Sequence, residues 1–162
     1  TSFKSIVKEG EIDNTLEIVL RNVSNQPKDL QAIYKGYIRI LSPRTSLFEK
    51  VLLNKSTPEE VSPELITSFG RTEAGIYFEV NPQEEVSIKF AWKLPKELDF
   101  SKSGQFIFFW RKQAGTLEDP VSVKFVFPSG VSLVLDPPTL IDQGEFGYNT
   151  LLSKDFKSMI SW

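Results

Sequence analysis

An all-β fold, an immunoglobulin-like or related two-sheet antiparallel β-sandwich, is what this sequence predicts, and three observations predict it. Apolar and polar residues alternate with period two almost from end to end, turn-forming residues interrupt the alternation at short intervals, and the 3.6-residue period of an amphipathic helix is nearly absent. With 162 residues, 40% of them hydrophobic, the chain is long enough to enclose a real core. It is expected to form one domain, residues 1–162, with 136–147 as a candidate linker before the terminal strands.

Strands are expected, in chain order, at 3–8, 15–22, 33–41, 48–53, 64–69, 75–80, 85–94, 105–113, 120–127, 131–135, 148–152 and 156–162. The clearest is EVSIKFAWKL, where Val86, Ile88, Phe90, Trp92 and Leu94 fall on one face and Ser87, Lys89, Ala91 and Lys93 on the other. In PVSVKFVF, Val121, Val123, Phe125 and Phe127 oppose Ser122 and Lys124 in the same way. Turn signals lie between the strands: Asn25-Gln26-Pro27, Ser42-Pro43, Asn81-Pro82, Ser103-Gly104, Asp119-Pro120, Pro128-Ser129-Gly130 and Asp136-Pro137-Pro138. Proline has no N–H to give a ladder, so these positions mark strand ends. The stretch NKSTPEEVSP, residues 54–63, has two prolines, two adjacent glutamates and no apolar period, and reads as a surface loop.

The segment FIFFWRKQ is apolar on both faces until its last residues. Phe106, Phe108, Trp110 and Lys112 point one way, and Ile107, Phe109, Arg111 and Gln113 the other. That pattern predicts a central strand covered on both sides, with a polar end emerging at the rim. On one reading Trp110 is core, Arg111 and Lys112 are solvated, and Glu118 or Asp119 across the following loop neutralises them. Three phenylalanines preceding the Trp on the same strand favour it. On the other, Trp110 is a platform on which a sugar ring stacks, with Arg111 and Gln113 as hydrogen-bonding arms.

A second candidate is YKGYIRI, in which Tyr37 and Arg39 share a face with Lys35, while Tyr34, Ile38 and Ile40 share the other. Gly36 permits close approach of a neighbouring backbone. Tyr37 with Arg39 suits a ligand held by stacking and charge, and suits equally a cross-strand pair on a solvated sheet face.

Composition removes several function classes. The net charge of −2, from 19 basic and 21 acidic side chains spread along the chain, gives no electrostatic footprint for nucleic acid. No cysteine means no disulfide, thiol nucleophile or thiolate metal site, which suits a cytosolic protein or a disulfide-poor bacterial surface protein. No histidine removes the usual general base and the commonest transition-metal ligand. Unbroken apolar runs reach only about five residues against the roughly 20 needed to cross a bilayer, so no membrane insertion by this fragment is expected. The start at Thr1, without an initiator Met or a signal-peptide pattern, reads as a piece of a longer protein.

Paired carboxylates are the remaining catalytic or calcium-binding possibility: Glu11 with Asp13, Glu59 with Glu60, Glu84 with Glu85, Glu118 with Asp119, and Asp142 with Glu145. None has EF-hand spacing, and glycoside hydrolysis would need two of them facing one cleft. No cofactor or metal ligand set is read from the sequence. Asn22-Val23-Ser24 and Asn54-Lys55-Ser56 satisfy the N-glycosylation pattern.

Three stretches in order carry a resemblance: TLEIVLRNVSN, YKGYIRILSPRTSL, and the block from GRTEAGIYFEVNPQEEVSIKFAWKLP to FWRKQAGTLEDPVSVKF. Together, over roughly residues 15–127, they resemble the C-terminal β-rich region of an uncharacterised family, a domain of unknown function, of large membrane-anchored bacterial envelope proteins. The sequence departs from that pattern at Ala114, where the family has Pro, and at Trp110-Arg111. The resemblance implies a membrane anchor outside this fragment and a location outside the cytoplasmic membrane, at the cell surface or envelope; it supplies no catalytic residues. The expectation is a non-catalytic, extracytoplasmic structural or interaction module whose partner is a protein or a cell-wall glycan. The alternatives are a carbohydrate-binding module stacking sugars on Trp110, Trp92 or Tyr37, and a carboxylate-based glycan hydrolase.

Overall fold

The computed structural model describes residues 1–8, 10–25, 32–54, 58–95, 98–112 and 118–162. Among them are fourteen strands and no helix: β1 Ser2–Val7, β2 Glu11–Arg21, β3 Tyr34–Pro43, β4 Leu47–Phe48, β5 Val51–Asn54, β6 Pro58–Val61, β7 Glu64–Ser68, β8 Arg71–Val80, β9 Glu85–Pro95, β10 Gln105–Trp110, β11 Asp119–Val126, β12 Val134–Asp136, β13 Glu145–Leu152 and β14 Phe156–Ser161. The all-β sandwich class is therefore as the alternation predicts. The chain divides into two compact units, Thr1–Asn14 with Pro95–Trp162, and Thr15–Leu94, the division falling within β2.

In the first unit, β11 lies between β13 and β1 in one sheet, and β14 lies between β10 and β12 in the other. The β11–β13 pair is antiparallel, whereas β1 runs parallel to β11, with Phe3 beside Val123 and Ser5 beside Phe125. Alternation buries Phe3 and Val7 from β1, Val121, Val123 and Phe125 from β11, and Phe146 from β13. The two layers meet through rings. Phe3 stacks on Phe108 of β10 at 4.6 Å between centroids, and Phe125 meets Phe106 and Phe108 edge-on at 6.1 and 5.4 Å. Offset-stacked and edge-to-face contacts of this kind align the positive ring edge with the negative ring face.

In the second unit, β9 lies between β2 and β5, with β4 also pairing β9 and β6 outermost on β5; a separate sheet has the order β3-β8-β7. The face of β9 assigned from its alternation is the buried one: Val86, Ile88, Phe90, Trp92 and Leu94. From β8 come Ala74, Ile76, Phe78 and Val80, and from β3 Ile40. A Cβ on Gly36 would sit 2.4 Å from Cζ of Phe78, so this glycine makes room for a core side chain rather than for a neighbouring backbone. The β7–β8 hairpin closes at Phe69 and Gly70, with φ of 46° and 74°. Left-handed backbone at both positions gives the twist that a two-residue hairpin needs, and it ends β7 one residue short of the expected 69.

Three expectations are corrected. The stretch 54–63 is not a loop throughout, since β6 pairs antiparallel with β5, placing Val51 opposite Val61 and Leu53 opposite Glu59. Backbone pairing at a sheet edge needs no apolar period, and Pro58, Glu59 and Glu60 are residues that edge strands tolerate. Residues 55–57 lie outside the described residues, as do Gln26 and Pro27 of the first turn signal. Within the candidate linker, Asp142 and Glu145 exchange backbone hydrogen bonds of 2.9 and 2.8 Å, so β13 begins at Glu145.

The third correction concerns β10, which is an edge strand of its sheet rather than a central one. Phe106, Phe108 and Trp110 are half-buried, but Ile107 and Phe109 are 52% and 50% exposed. An apolar sequence on both faces predicts double cover, whereas among the described residues Ile107 and Phe109 leave one face half open.

Candidate functional site

The register of β3 on β8 sets Tyr37 opposite Tyr77, Lys35 opposite Glu79 and Arg39 opposite Gly75. On the far side of β8, β7 brings Glu64 to Gly75. Side chains of one face recur every second residue, so Lys35, Tyr37, Arg39, Tyr77, Glu79 and Glu64 all rise from the solvent side of this sheet. Two tyrosines thus lie side by side, 42% and 54% exposed, within a ring of charges.

Each ring is tied down by a carboxylate. The Tyr37 hydroxyl donates to Oε2 of Glu64 at 2.6 Å, and the Tyr77 hydroxyl donates to Oε1 of Glu79, also at 2.6 Å. Glu79 in turn lies 3.6 Å from the Lys35 ammonium. To reach Glu64, the Tyr37 ring crosses the backbone of Gly75, where an added Cβ would be 2.3 Å from its hydroxyl oxygen and 2.6 Å from Cε1. Only glycine leaves that path open. The Arg39 guanidinium sits 5.3 Å from the Tyr37 ring centroid, in cation–π range.

Donating to Glu64 favours the neutral phenol, so the Tyr37 hydroxyl is raised above its ordinary value, partly offset by Arg39; the Glu79 bond raises Tyr77 likewise. A raised folded-state pKa stabilises the fold at pH values below the unfolded value of about 10, and that contribution is lost as pH rises through the folded pKa. Phenolate absorbance is expected to show both tyrosines ionising late, with Glu64→Gln returning Tyr37 towards about 10. An unmoved Tyr37 titration in that variant would remove the carboxylate as the cause.

Beside the tyrosines is an open depression of about 260 Å³ lined by Tyr37, Val61, Ser62, Glu64, Gly75 and Tyr77, with Ile76. Enclosing pockets for small molecules run to about 300–1,000 Å³. This one suits contact along a surface. A larger open groove of about 670 Å³ touches Pro120, Val121, Ser122, Asn149, Thr150 and Leu151, but neither aromatic nor charged side chains line it.

Of the residues singled out from the sequence, Tyr37 and Arg39 lie on this face. Trp110 and Arg111 belong to the first unit. Trp110 is half-buried and meets Phe108 edge-on at 6.1 Å, opposite Phe156 in the ladder. The exposed Arg111 guanidinium lies 5.8 Å from the Phe109 centroid. Asp155 supplies the carboxylate at this strand end, accepting the Lys112 backbone N–H at 2.9 Å. Gln113 lies outside the described residues. Trp92 offers no platform, because it is buried and stacked on Phe48 at 5.5 Å.

Several of the paired carboxylates are taken up locally. Glu11 and Asp13 both pair with Lys8, and Glu145 pairs with Lys124. Glu59 and Glu60, as neighbours in a strand, face opposite ways. The carboxyl of Asp99 is held below its ordinary value, chiefly by the Ser101 hydroxyl and then by Lys102, the reverse of what a general acid requires. The amide nitrogen of Asn22, the first glycosylation pattern, already donates to the carbonyls of Ala32 and Val80 at 2.8 and 3.0 Å.

Tyr77, Glu64 and Gly75 were missed in the sequence. The alternation IYFEV does set Tyr77 and Glu79 on the polar face of β8, but nothing local says which strand lies opposite. No protein-family model matches the chain, and no curated protein matches it.

Proposed function

We propose that this chain is a non-catalytic interaction module of a larger extracytoplasmic protein of the bacterial cell envelope, and that it binds through the β3–β8–β7 face. The observation that carries the reading is the pair of opposed, exposed tyrosines, each with its hydroxyl fixed by a carboxylate and with Arg39 and Lys35 alongside. Fixed aromatic rings lose little conformational entropy on binding, and the charges around them give direction. The absence of histidine and cysteine from the sequence supports a non-catalytic role, and the envelope location rests on the sequence resemblance.

One observation favours a cell-wall glycan as the ligand. Two neighbouring rings flanked by carboxylates and a guanidinium offer stacking together with bidentate hydrogen bonding to hydroxyls. Titration with cell-wall fragments, followed by chemical shifts, is expected to perturb Tyr37, Tyr77 and Arg39 saturably. The double variant Tyr37→Ala/Tyr77→Ala is expected to weaken binding by about a hundredfold, at roughly 1–2 kcal/mol per ring. Saturable shifts confined to other faces would overturn the assignment of this surface. Binding of a protein, with hydrogen-exchange protection of β3 and β8, would support the module and replace the glycan.

A further inference from the structure

The sequence of β10, QFIFFW, has the composition of a strand covered on both faces and paired on both sides, yet β10 is at the edge of the β10-β14-β12 sheet with Ile107 and Phe109 half exposed. Among the described residues its backbone is bonded through the β14 ladder alone. Edge strands ordinarily carry devices against pairing with another chain. Three of the other edges have them: Lys35 and Arg39 on β3, Pro58, Glu59 and Glu60 on β6, and a length of three residues ending at Asp136 on β12. From Gln105 to Trp110 there is no charge, no proline and no glycine.

We infer that the exposed edge of β10 pairs antiparallel with β10 of a second copy of this chain. A two-fold axis perpendicular to the sheet and passing midway between the two copies of Phe108 gives a register without conflict. On the outer face, Ile107 meets the partner's Phe109, and beyond the strand end Gln105 meets the partner's Arg111. On the inner face, Phe106 meets the partner's Trp110, and the two Phe108 side chains adjoin. Every apolar residue faces an apolar one and no like charges are opposed, which is the self-complementarity that a symmetric interface requires. The same pairing covers the half-buried rings of Phe106, Phe108 and Trp110 from the side that β10 leaves open. A heterologous strand would have to supply this aromatic pattern; the chain already carries it. Joined through one strand, the interface is at the small end of the stable range, so the dimer is expected to be concentration-dependent.

Sedimentation velocity from the low micromolar to the millimolar range is expected to show a monomer–dimer equilibrium. Phe109→Lys and Ile107→Lys are expected to weaken it at least about tenfold, through the two outer-face pairs lost per dimer, with thermal unfolding of the monomer little changed because both side chains are solvent-facing. The absence of native cysteine allows a second arm. In Gln105→Cys/Arg111→Cys the two thiols of one strand are about 20 Å apart, too far to join, whereas across the two-fold each meets the other. Oxidation should therefore yield a covalent dimer, and should fail to do so once Phe109→Lys is added. A chain monomeric throughout the range, a dimer indifferent to both lysines, or cysteines that do not cross-link in a dimer would each overturn the proposal.

Discussion

Phe125→Ala is expected to cost about 3–5 kcal/mol of folding stability, the range for a large aromatic truncated in a close-packed core. Phe125 is fully buried and is the point where both layers of the first unit converge. It touches Phe146 at 5.3 Å within its own sheet, Phe106 and Phe108 on β10, and Phe3 on the parallel neighbour β1. The rings around it are held by three different strands, β1, β10 and β13, so they cannot all move inward together, and the void persists after the ring is removed. Urea denaturation should show a lower midpoint with an unchanged slope, since the surface exposed on unfolding stays nearly the same. A loss below about 1 kcal/mol would mean that the cluster relaxes around the site, contrary to the geometry described.

How far the sequence reaches depends on what each element asks of it. β9 and β11 were legible because each buries one face and wets the other, so period two survives in the residues themselves. β10 was legible as a strand but not as an edge, because apolar residues on both faces look the same whether the chain or another molecule covers them. β6 has no apolar period, since backbone pairing with β5 requires none. The division into two units follows from pairings far apart in sequence, such as Phe3 beside Val123, while composition is similar on both sides of the break.

The candidate face divides in the same way. Tyr37 and Arg39 could be placed on one side of a strand from their spacing. Their partners could not, because Tyr77 and Glu64 arrive through the register of β8 against β3 and β7. A slip of one residue would turn Tyr77 inward and Phe78 outward. What fixes the register is buried on the other face, where Gly36 leaves room for Phe78 and where Ala74 and Ile76 enter the core. The geometry of the exposed tyrosines is thus set by the packing beneath them.

Among the indoles, Trp92→Ala is expected to cost about 3–5 kcal/mol, and Trp110→Ala only roughly 1–2 kcal/mol. Trp92 is 8% exposed, and its ring stacks nearly parallel on Phe48, the residue directly opposite it in the two-residue strand β4. So short a strand has little ladder to hold it, and the indole is the surface on which it rests. Truncation therefore removes a core ring and the anchorage of β4 together. Trp110 instead ends an edge strand, half open to solvent, so less apolar area returns to water when it is cut back. Chemical denaturation of the two variants measures the difference, and collisional quenching of tryptophan emission gives an independent check, since loss of Trp92 should remove the protected component. If Trp110→Ala proved the more damaging, the burial assigned to the two residues would be reversed, and Trp92 would return as a stacking platform in place of the tyrosine pair.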